Sequence, residues 1–198
     1  MSTSAQEDAN SLVMSASGAQ TLASTAAGIP PVAFQAFDRR LAISAAWAPT
    51  SGTLTLTGIW LPQGMTVNAI TFMSGATAEA TGTHLWYALY RADNLALLAQ
   101  STDNTGAAAF GASLSFRQAL TAPVVTPYTG LYYLGINVTA STVPTLLNLT
   151  SGVTTNLGAV ASTTPILAAT STGSLTAAAP NPAGALTTIV QCLWAGVD

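Results

Sequence analysis

Residues 84–91 read His-Leu-Trp-Tyr-Ala-Leu-Tyr-Arg, a short segment dense in aromatic and aliphatic side chains. Its side chains alternate between two sets that are both apolar: Leu85, Tyr87 and Leu89 on one side, and Trp86, Ala88 and Tyr90 on the other. A period of two is typical of a β-strand, and a strand that is apolar on both faces is typical of a sheet covered on both faces. The pattern therefore predicts a centre strand whose outer side is also covered.

Short alternating segments lie on either side of this strand. They are separated by turn sequences such as Pro62-Gln-Gly64 and Asp103-Asn-Thr-Gly106, and the segments are 53–61, 67–74, 84–91, 95–101, 112–120, 131–139 and 187–194. About seven short strands without amphipathic helices between them predict an all-β fold, an antiparallel β-sandwich with a jelly-roll strand order. Alternation places four large side chains in the core, namely Trp60, Phe72, Phe116 and Ile136.

The sandwich is expected over residues 50–198, and residues 1–49 are expected to form an extended N-terminal arm. Pro30-Pro31 interrupts the arm, because proline lacks the N–H that helices and central strands need. Two aromatic and two basic residues near its end are candidates for docking onto a neighbouring protein, namely Phe34, Phe37, Arg39 and Arg40. The alternative is that the arm folds back over its own sandwich and covers an open edge.

Residues 149–186 interrupt the strand pattern with a long excursion rich in Thr and Ala. It is too long for an ordinary hairpin connection, so it is either a loop packed on the sandwich or a second extended arm.

Charge is sparse, since only 6% of the 198 residues are charged and the net charge is −3. Four arginines and a pI of about 4.7 exclude nucleic-acid binding as a main task. No apolar run approaches the length of a membrane span, and the acidic N-terminus does not resemble a secretory signal. A surface this poor in charge predicts that copies of the chain cover one another, and we expect a homo-oligomer, with a trimer as the first expectation.

Catalytic chemistry has few candidate residues. His84 is the only histidine, and a strand-end residue hydrogen-bonded to a loop explains it better than a general base. Glu79, Asp93 and Asp103 lie in turns, where acidic residues commonly cap the backbone, and no motif for a nucleophile, a phosphate, zinc or a complete calcium loop is present. We therefore predict no catalytic residues, no metal, no cofactor and no enzymatic activity.

Three further features have modest interpretations. Cys192 is the only cysteine, so a disulfide within one chain is impossible, and we expect it to be a small buried hydrophobe. The glycosylation sequons at Asn137 and Asn148 have no significance without a secretory signal. Most aromatic residues belong to the core, but Tyr87 and Tyr133 are the outward members expected to form an exposed aromatic contact.

Several ordered blocks of sequence resemble a module of tailed bacteriophages, especially those of actinobacteria. The blocks are Gly58-Ile-Trp-Leu-Pro-Gln-Gly64, Ile70-Thr-Phe-Met-Ser-Gly-Ala-Thr-Ala78, Thr83-His-Leu-Trp-Tyr-Ala-Leu-Tyr90, Leu97-Leu-Ala-Gln-Ser-Thr-Asp103 and Gly130-Leu-Tyr-Tyr-Leu-Gly-Ile136. The resemblance covers residues 54–148. It implies a non-enzymatic β-sandwich exposed on a virion, usually in a homo-oligomer, and it carries no ligand residues over to this chain.

The expected function is therefore that of a virion structural protein, either a minor tail or fibre-type appendage or a capsid decoration protein. Such a protein is made in the host cytoplasm without a signal peptide, and its partners are other virion proteins. The alternative is a carbohydrate-binding module that recognises host envelope glycans, which needs exposed aromatic residues beside a groove. An enzyme acting on cell-wall polymer is disfavoured by the shortage of acidic and basic groups.

Overall fold

A computed structural model describes residues 34–42, 47–104, 110–150 and 165–198. The chain divides into residues 1–31 and 32–198, and all that follows concerns the second unit. Its described residues form one short 3-10 helix, Arg39–Leu41, and strands at β1 Phe34–Gln35, β2 Thr55–Leu61, β3 Thr66–Met73, β4 Ala80–Arg91, β5 Leu97–Gln100, β6 Ser115–Val125, β7 Gly130–Thr142, β8 Asn148–Thr150, β9 Ala168–Thr170, β10 Thr187–Thr188, β11 Gln191–Leu193 and β12 Ala195–Val197.

The strands form two main sheets that pack face to face. One has four strands in the order β1-β12-β3-β6, and the other has six in the order β10-β9-β2-β7-β4-β5. Strands β8 and β11 form a further pair, and the paired strands are antiparallel throughout the described residues. The predicted antiparallel β-sandwich is confirmed. The jelly-roll strand order is not confirmed.

The inner core lies between the two sheets. Strands β2, β4 and β7 send alternate side chains inward, and these meet the buried side chains of β3, β6 and β12. Aromatic rings pack against each other there, and the ring centroids of Phe72 and Tyr87 lie 4.8 Å apart. Phe72 and Ile136 are fully buried as predicted, while Phe116 is half-buried and packs against the same cluster.

An outer core covers the opposite face of the six-stranded sheet. It contains Leu54, Leu56, Trp86, Ala88, Tyr90 and Tyr133. Residues 171–186, which we call the strap, lie over this face and contribute Leu175, Ala179, Ala183 and Leu186. The prediction that β4 is covered on both sides is therefore confirmed, and within the described residues the cover comes from the chain itself.

Hydrogen bonds fasten the strap to the sheet. The Trp86 indole donates to the Thr176 carbonyl at 2.6 Å, and the Tyr90 hydroxyl donates to the Pro180 carbonyl at 3.1 Å. Gln100 makes contacts in both directions, donating to the Ala177 carbonyl and accepting from the Ala179 amide. The described part of the 149–186 excursion is therefore packed on the sandwich, while residues 151–164 lie outside the described residues.

The predicted burial of Trp60 is wrong, because 63% of its side chain is exposed. Trp60 shares a face with Leu54 and Leu56 as the alternation requires, but this is the outer face of the sheet. The residues that cover the outer face extend along β2 as far as Gly58, which Leu167 overlies. Trp60 lies two residues further along β2 and is not covered.

The end of the predicted N-terminal arm pairs with the sandwich. Phe34 lies opposite Val197, and the Ala36 amide donates to the Ala195 carbonyl at 2.8 Å. Residues 34–36 thus follow the fold-back alternative, and residues 1–33 of the arm lie outside the described residues.

Candidate interaction surface

Trp60 is the most exposed large hydrophobic side chain of the described residues. It stands near the end of β2, and its neighbour across the sheet is Leu131 on β7. A large indole costs free energy in water in proportion to its exposed apolar area, so an exposed tryptophan commonly marks a contact surface. Trp60 is therefore the starting point for a candidate functional surface.

Two leucines extend the apolar surface around Trp60. At Gly58, two residues earlier on the same face, a Cβ would lie 3.2 Å from a Leu131 methyl group and 3.4 Å from a Leu167 methyl group. The two leucine side chains therefore nearly meet over Gly58, and Leu167 is 50% exposed. We call Trp60, Leu131 and Leu167 the Trp60 patch.

On the side of β2 away from β7, Trp60 has no strand partner within the described residues. Strand β9 pairs with β2 only over residues 55–57, and the Gly58 amide then donates to the Leu167 carbonyl at 2.8 Å. A continued ladder would bring Pro165 opposite Trp60, but proline has no N–H to donate. The Ile166 carbonyl instead accepts from the Tyr133 hydroxyl, so the chain has already left the ladder.

Residues 57–64, 126–131 and 165–168, which carry the patch, contain no charged residue, and their polar side chains are hydroxyls and the amide of Gln63. The neighbouring charge is Arg91, which lies 5.2 Å from the centroid of the Tyr128 ring and is paired with Asp93. An apolar patch whose own residues are uncharged can be buried against another protein without desolvating an unpaired ion.

Tyr87 and Tyr133 do not form the expected exposed contact. Tyr87 is fully buried in the inner core, and Tyr133 is only 4% exposed beneath the segment that contains Ile166. Burial raises the pKa of both phenols. The expectation of exposure is wrong because Tyr87 points between the sheets and the outer face that carries Tyr133 is covered.

The predicted docking residues Phe34, Phe37, Arg39 and Arg40 lie at or near the surface. Phe34 is 39% exposed, Phe37 is half-buried and both arginines are exposed. The Arg40 guanidinium forks onto both oxygens of Asp38 and holds the pKa of that carboxyl at about 2. Arg39 has no ion pair within the described residues, so it is the arginine left for a partner, and the docking role stays a prediction.

His84 and Asp103 tie the start of an aromatic strand segment to a loop. The His84 Nδ1 lies 2.6 Å from one Asp103 oxygen, and the other oxygen accepts from the Leu85 amide at 2.9 Å. The hydrogen bond to a loop is the one expected from the sequence, but His84 is the fifth residue of β4 and not its end. Asp93 instead pairs with Arg91 at an exposed turn, and Glu79 is buried elsewhere.

Cys192 and the two sequons are accounted for by packing. Cys192 is half-buried with its sulfur 3.2 Å from the Thr57 hydroxyl, and burial raises the pKa of its thiol. Asn137 and Asn148 are both fully buried, so neither amide is accessible to a glycosylating enzyme.

The described residues contain no group of three or more histidine, cysteine or acidic side chains placed to hold a metal ion. Within the same residues, no helix has the length and hydropathy needed to cross a membrane. Comparison of the chain with protein-family models and with curated proteins gives no match.

Proposed function

We propose that this chain is a non-enzymatic structural protein of a bacteriophage virion, a minor tail or fibre-type appendage or a capsid decoration protein. The observation that carries the proposal is the Trp60 patch on an all-β sandwich of very low charge. The resemblance of residues 54–148 to a module of tailed phages supports the same assignment. The chain is made in the host cytoplasm and assembles with other virion proteins.

The Trp60 patch supports association with further copies of the chain. The strap already covers the outer face of β4, so that face supplies no reason for an oligomer. The Trp60 patch supplies a reason for association instead, because Trp60 and Leu167 expose apolar surface that a partner would remove from water. Identical uncharged patches can meet around a symmetry axis without like-charge repulsion, and a cyclic trimer, in which three copies of the patch would meet at the threefold axis, stays the first expectation.

Particle reconstruction tests the virion assignment. The expected result is density that fits residues 34–198 at a symmetric position on the tail or on the capsid of the phage that encodes the chain. Particles that contain no copy of the protein, detected by mass spectrometry of purified virions, would refute the assignment.

Light scattering of the purified chain tests the oligomer separately. We expect a homo-oligomer that Trp60→Ser weakens and that Leu114→Ser leaves intact, since Leu114 is an exposed leucine outside the patch. A wild-type monomer, or equal loss in both variants, would show that the Trp60 patch is not the contact.

A carbohydrate-binding function is the second candidate, and the exposed indole of Trp60 favours it. An exposed flat ring suits the apolar face of a neutral sugar, and the turn after β2, where the Gln63 backbone amide donates to the Thr129 hydroxyl, carries further polar groups. Titration with soluble neutral polysaccharide from host envelopes, followed by tryptophan fluorescence, distinguishes the candidates. Binding by a monomer that is lost in Trp60→Ser and kept in Leu114→Ser would favour the glycan module.

A further inference from the structure

Glu79 places a carboxylate inside the protein at the start of β4. Only 8% of the residue is exposed, and its side chain folds back over Gly82. A Cβ at Gly82 would lie 1.6 Å from the Glu79 Oε1, so a side chain at residue 82 would displace the carboxylate from this position. Thr81 between them adopts a φ of +49°, a left-handed conformation that is costly for a β-branched residue. The backbone of this turn is thus shaped around the buried acid.

Glu79 and Phe110 hold each other by hydrogen bonds in both directions. The Glu79 amide donates to the Phe110 carbonyl at 2.8 Å, and the Phe110 amide donates to the Glu79 Oε2 at 3.1 Å. Phe110 is fully buried and packs against Phe116 with ring centroids 5.2 Å apart. The pair therefore fastens the chain at residue 110 to the start of a central strand.

The neighbouring residues continue this fastening without further charge. The Ser113 amide donates to the Gly75 carbonyl at 2.7 Å, and the Leu114 amide donates to the Ser74 hydroxyl at 2.9 Å. Glu79 is the only ionisable side chain in residues 74–79 and 110–114. Its ionisation is thus the one charge change available within these two segments.

No cation balances the Glu79 carboxylate in the described residues. Arg40, His84, Arg91 and Arg117 are paired with other aspartates, and Arg39 lies exposed near the short 3-10 helix. The titratable group that faces Glu79 from β4 is the Tyr87 phenol, whose hydroxyl is buried without a hydrogen-bond partner among the described residues. A carboxylate in such surroundings loses hydration and gains one amide hydrogen bond, whereas the protonated acid keeps that bond and carries no charge.

We propose that Glu79 and Phe110 form a pH-sensitive latch that holds residues 110–114 against residues 74–79 more tightly as the solution becomes acidic. Burial raises the pKa of Glu79 above its ordinary value. The folded protein therefore binds this proton more strongly than the unfolded chain, and the contribution of Glu79 to stability rises as the pH falls through the raised pKa. The latch is weakest at neutral pH and above, where the buried carboxylate is charged.

Hydrogen exchange of the wild-type full-length chain at about pH 7 and about pH 5 tests the latch, after correction for the intrinsic pH dependence of exchange. We expect protection of the amides of residues 110–114 to rise at the lower pH in the wild type, by a factor larger than in Glu79→Gln. Glu79→Gln keeps an oxygen for the Phe110 amide and removes the charge, so its protection should change little with pH. Asp93→Asn is the matched control, because Asp93 is an exposed carboxylate, and it should retain the wild-type response.

Equal pH responses in the wild type and in Glu79→Gln would overturn the proposal, and so would the absence of a response in the wild type. Carbon-13 NMR titration of the Glu79 carboxyl in the wild-type protein gives a reading that does not depend on the variant folding. We expect its midpoint above that of glutamate in an unfolded peptide. A midpoint at or below that of the peptide would likewise overturn the latch.

Discussion

The inner and outer cores of this sandwich are built differently although they share one sheet. In the inner core, strands face strands, and large side chains such as Phe72 and Tyr87 interlock between two regular layers. In the outer core, the sheet faces the strap, which contributes leucines and small alanines and is anchored by the Trp86 indole and the Tyr90 hydroxyl. The difference shows that an irregular segment can complete a core when donors on the sheet satisfy its backbone carbonyls.

The largest expected effect tests the inner core. Phe72→Ala removes a fully buried ring from between the sheets, and we expect a loss of about 3 to 5 kcal/mol in the free energy of unfolding. Urea denaturation measures it. Phe116→Ala is the matched comparison and should cost less, because Phe116 is only half-buried. A larger loss for Phe116→Ala would mean that the inner core is centred elsewhere.

The next effect tests the anchor of the strap. Trp86→Phe removes the donor to the Thr176 carbonyl and part of the ring that the strap covers. We expect a loss of about 1 to 3 kcal/mol, with increased hydrogen exchange confined to residues 171–186 if the outer core opens separately. An unchanged exchange pattern in the strap would indicate that its anchoring lies in other contacts.

A smaller effect tests how closely the outer core is packed. A Cβ at Gly135 would lie 2.8 Å from a Leu54 methyl group and 3.1 Å from a Leu56 methyl group. Gly135→Ala should therefore destabilise the protein by about 1 kcal/mol, because both leucines are fully buried and must shift. Gly173→Ala is the matched control, because only the Thr53 hydroxyl lies within 4 Å of a Cβ at that position. Gly64→Ala is unsuitable as a control, since the φ of +79° at Gly64 would strain any other residue. Equal melting temperatures for Gly135→Ala and the wild type would show that the outer core has room to spare.

The smallest effect on stability is expected outside both cores. Trp60→Ser should change the free energy of unfolding by less than about 0.5 kcal/mol, because most of the side chain is already in water. Thermal unfolding under dilute conditions, where association is suppressed, measures this. A loss comparable to that of Trp86→Phe would place Trp60 in the outer core rather than on a free patch.

Much of the sheet could be predicted from the sequence, while the candidate surface could not. Alternation identified the β2, β4 and β7 segments and the inward positions of Phe72 and Ile136. It also put Trp60 on the correct face together with Leu54 and Leu56, and the error was to take that face for the centre of the sandwich. Two residues in the sequence could have indicated that Trp60 is left uncovered. Gly58 has no side chain to pack on this face, and Pro165 has no N–H with which to continue strand pairing.

The residue pattern alone was enough to predict antiparallel β-strands and a β4 that is buried on both sides, because a period of two directs successive side chains to opposite faces. Packing between distant segments places the strap over the outer face, buries Tyr87 and Tyr133, and leaves Trp60 exposed. It alone also turned Glu79 inward over Gly82 and brought Phe110 to it. Period-two alternation is a local property of a strand, whereas the strap and the Glu79–Phe110 contact join residues far apart in the chain and leave no periodic trace in the sequence.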